Sequence, residues 1–333
     1  MLKRRHWIPP LGLLAGHLAH GLAWVILVFI AGDIERGTTF RLIGWVHLVA
    51  LGWLTLTALS ILLHVIPAFT DNQWRAEPVA RGAVAVYGIG AAGLIVSFFI
   101  DDTRSLPIFG AILAIGLGTY LALAFVTLFL PPPAERMERA IARALGITLI
   151  FLTVAAGLGT ALTFAVTRAP LAAAFFIPIH ANLGLIGWLS LLAVGVSTRT
   201  LRVITGNTAR LAALHIAAGS AAVIGIIVQS IALGLAIPAF AIAGVVILMI
   251  AAALYVAQLV LMLRSAQNPH RPPQAFVAAA GIWLVVAACF GGMTVVADLE
   301  YRAVFVFTLL VGWLGQMVIA HLHHIGIRLL ATV

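Results

Sequence analysis

The chain has 333 residues, of which 63% are hydrophobic and only 9% charged, and its formal net charge is +9. A soluble domain of this size needs far more charged surface, so the soluble globular class is excluded. In a membrane protein, a basic excess is typical of the loops on the cytoplasmic side, so the charge does not predict a nucleic-acid partner. The single cysteine, Cys289, excludes a disulfide framework.

Ten apolar runs are long enough to cross a hydrocarbon core about 30 Å thick. We therefore predict an all-α, polytopic membrane bundle forming one transmembrane domain over residues 1–333. The predicted spans are roughly 8–31, 42–69, 79–100, 106–130, 141–167, 174–203, 209–233, 236–263, 275–297 and 303–329. The first run is too long for a signal peptide and has no small-residue cleavage site, so we expect it to be retained as the first helix.

The distribution of lysine and arginine predicts the orientation. With the N-terminus inside, fourteen of these residues fall on inner segments and five on outer ones. This bias predicts that both termini lie in the cytoplasm. We expect the protein to reside in the inner (plasma) membrane, with lipid as its main surrounding.

A short motif recurs every four spans. GWLTL begins at Gly52, GWLSL at Gly187 and GWLGQ at Gly312, on spans 2, 6 and 10. Eleven residues after the three tryptophans come, in order, His64, Arg199 and His324. Gly-Trp pairs also occur by chance in membrane helices, but three at one place in a four-helix period indicate an internal repeat.

Histidines are the main polar residues inside the predicted spans. No aspartate or glutamate is expected there, which argues against an ion-driven carrier. Imidazole is a common metal ligand, and heme iron takes one or two axial histidines in apolar surroundings. Each histidine is alternatively a hydrogen-bonded structural residue. The candidate cofactor-binding residues are His17, His20, His47, His64, His180, His215, His321, His323 and His324.

Depth in the membrane divides these histidines into two groups. His47 and His180 lie near the outer ends of spans 2 and 6, and we predict that these two residues are the metal ligands. His64 lies roughly 25 Å further along span 2 at the rise of an α-helix, so it cannot share a metal with His47. We expect His64 to belong with the inner group formed by the histidines of spans 1, 7 and 10.

The histidine-bearing motifs resemble a known superfamily. The patterns are HLVALGWLTL and HVIPAF in span 2, HANLGLIGWLSLLAVGVSTR in span 6 and GWLGQMVIAHLHHIGI at the end of the chain. They resemble the heme–copper oxidase catalytic subunit superfamily, above all the NnrS family linked to nitric oxide metabolism and other short oxidase-like proteins. The resemblance implies a pseudo-threefold arrangement with ligands on the second, sixth and tenth helices.

The resemblance also assigns roles to particular residues. His47 would match the low-spin heme ligand and His180 the first copper ligand, while His321 and His323 would match the paired heme ligands. The histidine pair expected on the seventh helix is absent, because span 7 holds only His215. A full binuclear heme–copper site is therefore not evident, and whether the protein is an enzyme is left open.

Two hypotheses follow from the sequence. The first is a membrane protein that binds heme, with copper as a further metal, and acts in electron transfer or nitric oxide metabolism with a redox protein or a gas such as NO or O2 as partner. The second is a cofactor-free transporter or membrane assembly protein that retains the fold.

Overall fold

The structure is a computed structural model that describes residues 8–35, 39–207, 211–296 and 301–331. For a few helical residues only the backbone is described: 8, 9, 34, 35, 198, 296 and 324–331. Several basic residues used for the orientation lie wholly outside the described residues, namely Lys3, Arg4, Arg5, Arg36 and Arg210.

Ten helices within the described ranges are long and apolar enough to cross a membrane, and no strand occurs in those ranges. This confirms the prediction of an all-helical, multi-pass membrane protein. Seven spans are single α-helices: Ile8–Glu35, Glu77–Phe99, Leu106–Phe129, Arg136–Arg168, Ala212–Leu235, Pro238–Arg264 and Pro272–Val296.

The other three spans each change helix type partway along. Span 2 consists of Phe40–His47, a π-helical segment at Leu48–Thr55 and Leu56–Thr70. Span 6 consists of Pro170–Ala181, a π-helical segment at Asn182–Ser190 and Leu191–Thr205. Span 10 consists of Tyr301–Phe307, a π-helical segment at Thr308–Gly315 and Gln316–Ala331. We name the three segments π1, π2 and π3.

The chain divides into two compact units. Unit 1 covers the described part of Met1–Ile177 with Leu329–Val333, and unit 2 covers Pro178–Arg328. The organisation of the chain as one transmembrane domain stays a prediction.

Span 1 packs closely against span 2 within unit 1. A Cβ atom at Gly16 would collide with the Thr57 hydroxyl, and one at Gly12 would collide with Ser60. Further along, the indole of Trp45 donates a hydrogen bond to the Ala23 carbonyl at 2.9 Å. Small residues on span 1 thus let the two backbones approach, as is common in membrane helix pairs.

Aromatic donors satisfy backbone carbonyls along span 2. Pro67 has no N–H, so it leaves the carbonyl of Leu63, four residues earlier, without its helical partner. The indole of Trp74 donates to that carbonyl at 2.7 Å. In hydrocarbon an unsatisfied carbonyl costs several kcal/mol, so such side-chain donors make an irregular span tolerable.

Candidate functional site

The three Gly-Trp dipeptides all lie in the π-helical segments. Trp53 in π1, Trp188 in π2 and Trp313 in π3 are among the most buried side chains, at 1%, 2% and 0% exposure. Long π-helical segments are rare, and shorter ones are frequent at functional sites. The shared conformation therefore distinguishes these three spans from the other seven.

π1 is held by a tyrosine from span 3. The backbone N–H of Leu56 points to the carbonyl of Leu51, five residues earlier, as a π-helix requires. The hydroxyl of Tyr87, which is fully buried, donates to the same carbonyl at 3.0 Å. The Leu51 carbonyl thus has two donors, and a side chain from a neighbouring span reinforces the wide helical turn.

π2 and π3 are joined by a hydrogen bond inside unit 2. The indole of Trp313 donates to the hydroxyl of Ser190 at 3.3 Å. Ser190 in turn donates to the carbonyl of Leu185 at 3.0 Å, five residues earlier in π2. A Cβ atom at Gly312 in π3 would lie 2.7 Å from the ring of Trp283, so this motif glycine allows the close approach of span 9.

His47 lies immediately before π1 and is half-buried. Its Nδ1 lies 2.8 Å from the carbonyl of Ile43, and its ring lies 5.0 Å from that of Phe98. A carbonyl can only accept, so Nδ1 carries the hydrogen and Nε2 carries the lone pair. Metal-bound histidines typically show this arrangement, with the remote N–H bound to a carbonyl.

The two histidines of span 1 take different roles. His17 is exposed, and its Nδ1 lies 2.7 Å from the Leu13 carbonyl. The ring of His20 stacks on that of Trp53 with centroids 3.6 Å apart, and its Nε2 accepts a hydrogen bond from the indole of Trp24 at 2.9 Å. The structure thus places His20 against π1.

His321 joins the second halves of spans 6 and 10. It is buried at 8% exposure. Its Nδ1 lies 2.7 Å from the Met317 carbonyl and its Nε2 lies 2.7 Å from the Thr200 hydroxyl. Both ring nitrogens are therefore engaged by protein groups.

The remaining candidate histidines are spread over both units. His215 lies 3.2 Å from the Gln258 side-chain oxygen, and the ring of His323 stacks on that of Phe276 at 5.5 Å. His64 is exposed, and His180 is half-buried two residues before π2. For His324 only the helical backbone is described.

Within the ranges given above, no group of three or more His, Cys, Asp or Glu side chains is placed to hold a metal ion. A heme needs only one or two axial histidines, so this observation does not bear on heme. The pairing of His47 with His180 joins residues of the two units and stays a prediction, as does the inner histidine group.

Sequence reasoning missed several polar residues. Asp33 was expected in a loop, but helix Ile8–Glu35 extends past the predicted end at residue 31, and Asp33 is 4% exposed. The partners Thr200 and Gln258 were not singled out either. The isolated glutamine of the apolar run in span 8 was a signal for the latter, because amides inside membrane helices usually hydrogen-bond across helices.

Comparisons of this chain with known protein families, with curated proteins and with solved structures found no match in any of the three.

Proposed function

We propose that this chain is an integral membrane heme protein of the oxidase-like or NnrS type, acting in electron transfer or nitric oxide metabolism. The observation that carries the proposal is the hydrogen bond from His47 Nδ1 to the Ile43 carbonyl at 2.8 Å, directly before π1. It selects the tautomer that an axial heme ligand requires.

Other contacts of unit 1 support the same site. Phe98 packs against the His47 ring and provides an apolar wall. The neighbouring turn of span 2 is fixed by Tyr87, so the backbone that carries His47 is held in place. A bound heme would supply a redox-active iron that exchanges single electrons and binds diatomic gases.

We further propose that spans 2, 6 and 10 are copies of one four-helix repeat, related by the pseudo-threefold symmetry of the oxidase-like fold. The presence of a π-helical segment around the Gly-Trp dipeptide in each copy supports this proposal. His180, two residues before π2, is the proposed second ligand, with copper as the further metal. The localisation in the plasma membrane with both termini inside belongs to the same proposal.

The alternative is a cofactor-free transporter or assembly protein. It is favoured by three histidines that hydrogen-bond to other side chains, namely His20 to Trp24, His215 to Gln258 and His321 to Thr200. Such contacts are typical of structural histidines in a helical bundle.

The test is a reduced-minus-oxidised absorption spectrum of the purified protein, with metal analysis. We expect a Soret band with heme in stoichiometric amount. His47→Phe should abolish one spectral component, and the fold should tolerate it because Phe307 occupies the matching position six residues before Trp313. His47→Gly should lose the same component and regain it on addition of imidazole.

His64→Ala is the matched control, since His64 lies on the same span and is exposed. It should leave the His47 component unchanged. The absence of both a Soret band and stoichiometric copper would support the cofactor-free alternative, and an unchanged spectrum in His47→Phe would exclude His47 as a ligand.

A further inference from the structure

The arginines of unit 2 lie in a part of the chain that has no acidic residues. From residue 139 to residue 297 the sequence contains neither aspartate nor glutamate. Four arginines lie where spans 6 and 8 end and where span 9 begins, namely Arg199, Arg202, Arg264 and Arg271. The corresponding segments of unit 1 carry four acidic residues beside their arginines, namely Asp71, Glu77, Glu135 and Glu138. At these ends of the spans, the positive charge of unit 2 is therefore not balanced by the chain.

The loop after span 8 covers the last turn of span 6. The backbone N–H groups of Gln267 and Asn268 donate to the carbonyl of Thr205 at 2.8 and 3.0 Å. The side chain of Gln274 donates to the carbonyl of Ile204 at 3.3 Å. The last carbonyls of a helix attract cations, but here neutral amides bind them. The arginines of unit 2 are therefore not needed to cap span 6.

The internal repeat shows the same difference between the two units. The first two Gly-Trp copies are 135 residues apart, and so are Arg139 and Gln274. In unit 1, Arg139 donates to the carbonyl of Pro133 at 3.1 Å. In unit 2, Gln274 donates to the matching carbonyl of Asn268 at 2.8 Å. A neutral amide thus makes in unit 2 the contact that an arginine makes in unit 1.

Two arginines of unit 2 have no acceptor in the part of the chain that the structure describes. Neither Arg202 nor Arg264 forms a hydrogen bond or an ion pair with a described residue. Arg202 is half-buried and interacts electrostatically with His215, which hydrogen-bonds to Gln258 of span 8 at 3.2 Å. Arg202 therefore lies beside span 8. A guanidinium has five N–H donors, and partial burial without an acceptor is costly, so the acceptor must come from the surroundings.

The apolar side chains next to these arginines favour a lipid as the source of the acceptor. Arg264 ends the helix of span 8 and shares an exposed face with Val260 and Leu261, four and three residues earlier. Val203, the neighbour of Arg202, is also exposed. A phospholipid places its phosphate at the membrane surface and its acyl chains in the hydrocarbon, so it matches both the arginines and the apolar face. A soluble anion would match only the arginines.

We propose that this end of unit 2 binds an anionic phospholipid. Arg202 and Arg264 donate hydrogen bonds to oxygens of the head group, and the acyl chains lie along the exposed face of span 8. Arginine suits this role because its planar fork of donors matches the geometry of a phosphate group. The site does not depend on heme, since it uses only residues of spans 6 and 8.

The test is native mass spectrometry of the purified full-length protein in detergent, freed of lipid and titrated with phosphatidylglycerol or with phosphatidylcholine of the same acyl chains. We expect phosphatidylglycerol to bind more tightly. Arg202→Gln and Arg264→Gln should each weaken its binding about fivefold, as expected for one basic residue near an anionic head group. Arg264→Lys, which keeps the charge but not the planar fork, should retain part of the affinity. Because Arg264 is exposed at a helix end, its variants should fold.

Arg136→Gln is the matched control, because Arg136 is an exposed arginine of unit 1 between Glu135 and Glu138. It should leave the binding of phosphatidylglycerol unchanged. Wild-type affinity in both Arg202→Gln and Arg264→Gln, an equal loss in Arg136→Gln, or equal affinity for the two lipids would overturn the proposal. Displacement of the lipid by inorganic phosphate would also overturn it, since the occupant would then be a soluble anion.

Discussion

At the scale of single residues, the helix backbone sets the chemistry of the histidines. His17, His47 and His321 each place Nδ1 within 2.8 Å of the carbonyl four residues earlier. Because that carbonyl fixes the tautomer, the role of each histidine depends on the group that its Nε2 contacts. The surroundings then separate the three, since His17 is exposed, His47 is half-buried beside Phe98 and His321 is buried against Thr200.

The contact between Thr200 and His321 predicts a loss of stability in Thr200→Val. The variant keeps the shape of the side chain but removes the hydroxyl that hydrogen-bonds to His321 Nε2, so the free energy of unfolding should fall by about 1–3 kcal/mol. The change is measured by unfolding the protein with a denaturing detergent and monitoring its helix content by circular dichroism.

Thr153→Val provides the comparison for this variant. Among the described residues, the Thr153 hydroxyl bonds only to the Leu149 carbonyl of its own helix at 2.7 Å, so its removal should cost less. Equal losses in the two variants would show that the hydrogen bond to His321 contributes little.

At this scale the sequence was a partial guide. The spacing of the histidines predicts which side chains share a helix face, and the candidate residues could be chosen from that spacing. The partners could not, because Thr200 and His321 are 121 residues apart and their contact depends on how spans 6 and 10 pack.

At the scale of helices, the apolar runs predicted the positions of the spans well but did not predict the change of helix type within three of them. The predicted span 106–130 is observed as Leu106–Phe129, and 42–69 as Phe40–Thr70. Arg136–Arg168 begins five residues before its prediction at 141, because its first turns are polar and extend the helix beyond the hydrocarbon. The Gly-Trp dipeptides mark the three π-helical segments but do not predict their helix type, which also involves contacts such as that of Tyr87 with the Leu51 carbonyl.

The close packing of spans 1 and 2 predicts that Gly16→Leu is destabilising. Even a single Cβ atom at Gly16 would collide with the Thr57 hydroxyl and would lie 3.4 Å from the Trp53 carbonyl, so the helices must separate. We expect a loss of about 1–3 kcal/mol, measured by thermal unfolding in detergent. Gly21→Ala on the same helix has open space and should be neutral or slightly stabilising, because alanine favours the helix. A Gly16→Leu protein as stable as the Gly21→Ala protein would contradict the packing.

The irregular end of span 2 predicts coupling between Pro67 and Trp74. Trp74→Phe removes the donor to the Leu63 carbonyl and should cost about 1 kcal/mol. Pro67→Ala restores a backbone N–H four residues after Leu63, so Trp74→Phe should cost less in that background. A double-mutant cycle of unfolding free energies measures the difference, and additive effects would exclude the coupling.

At the scale of the whole molecule, the distribution of basic residues predicts the orientation of the spans. The segment 71–76 should be cytoplasmic and the segment 100–105 should be outside. Since Cys289 is the single cysteine of the chain, Cys289→Ser provides a background without cysteine. In it, Thr103→Cys should react with an impermeant maleimide on intact spheroplasts, whereas Gln73→Cys should react only after lysis. The opposite labelling pattern would show that the spans have the opposite orientation.

The aromatic donors of span 2 also have a consequence for the biogenesis of the protein. The Leu63 carbonyl accepts a hydrogen bond from Trp74, which lies eleven residues later in the chain. The donors to the Leu51 and Leu59 carbonyls, Tyr87 and Tyr120, lie 36 and 61 residues later. At a synthesis rate near 5 residues per second, these donors leave the ribosome after about 2, 7 and 12 s. Span 2 therefore enters the bilayer with the Leu63 carbonyl open for about 2 s, because Pro67 cannot donate to it. The hydroxyls of Tyr87 and Tyr120 add their hydrogen bonds to span 2 only when spans 3 and 4 emerge.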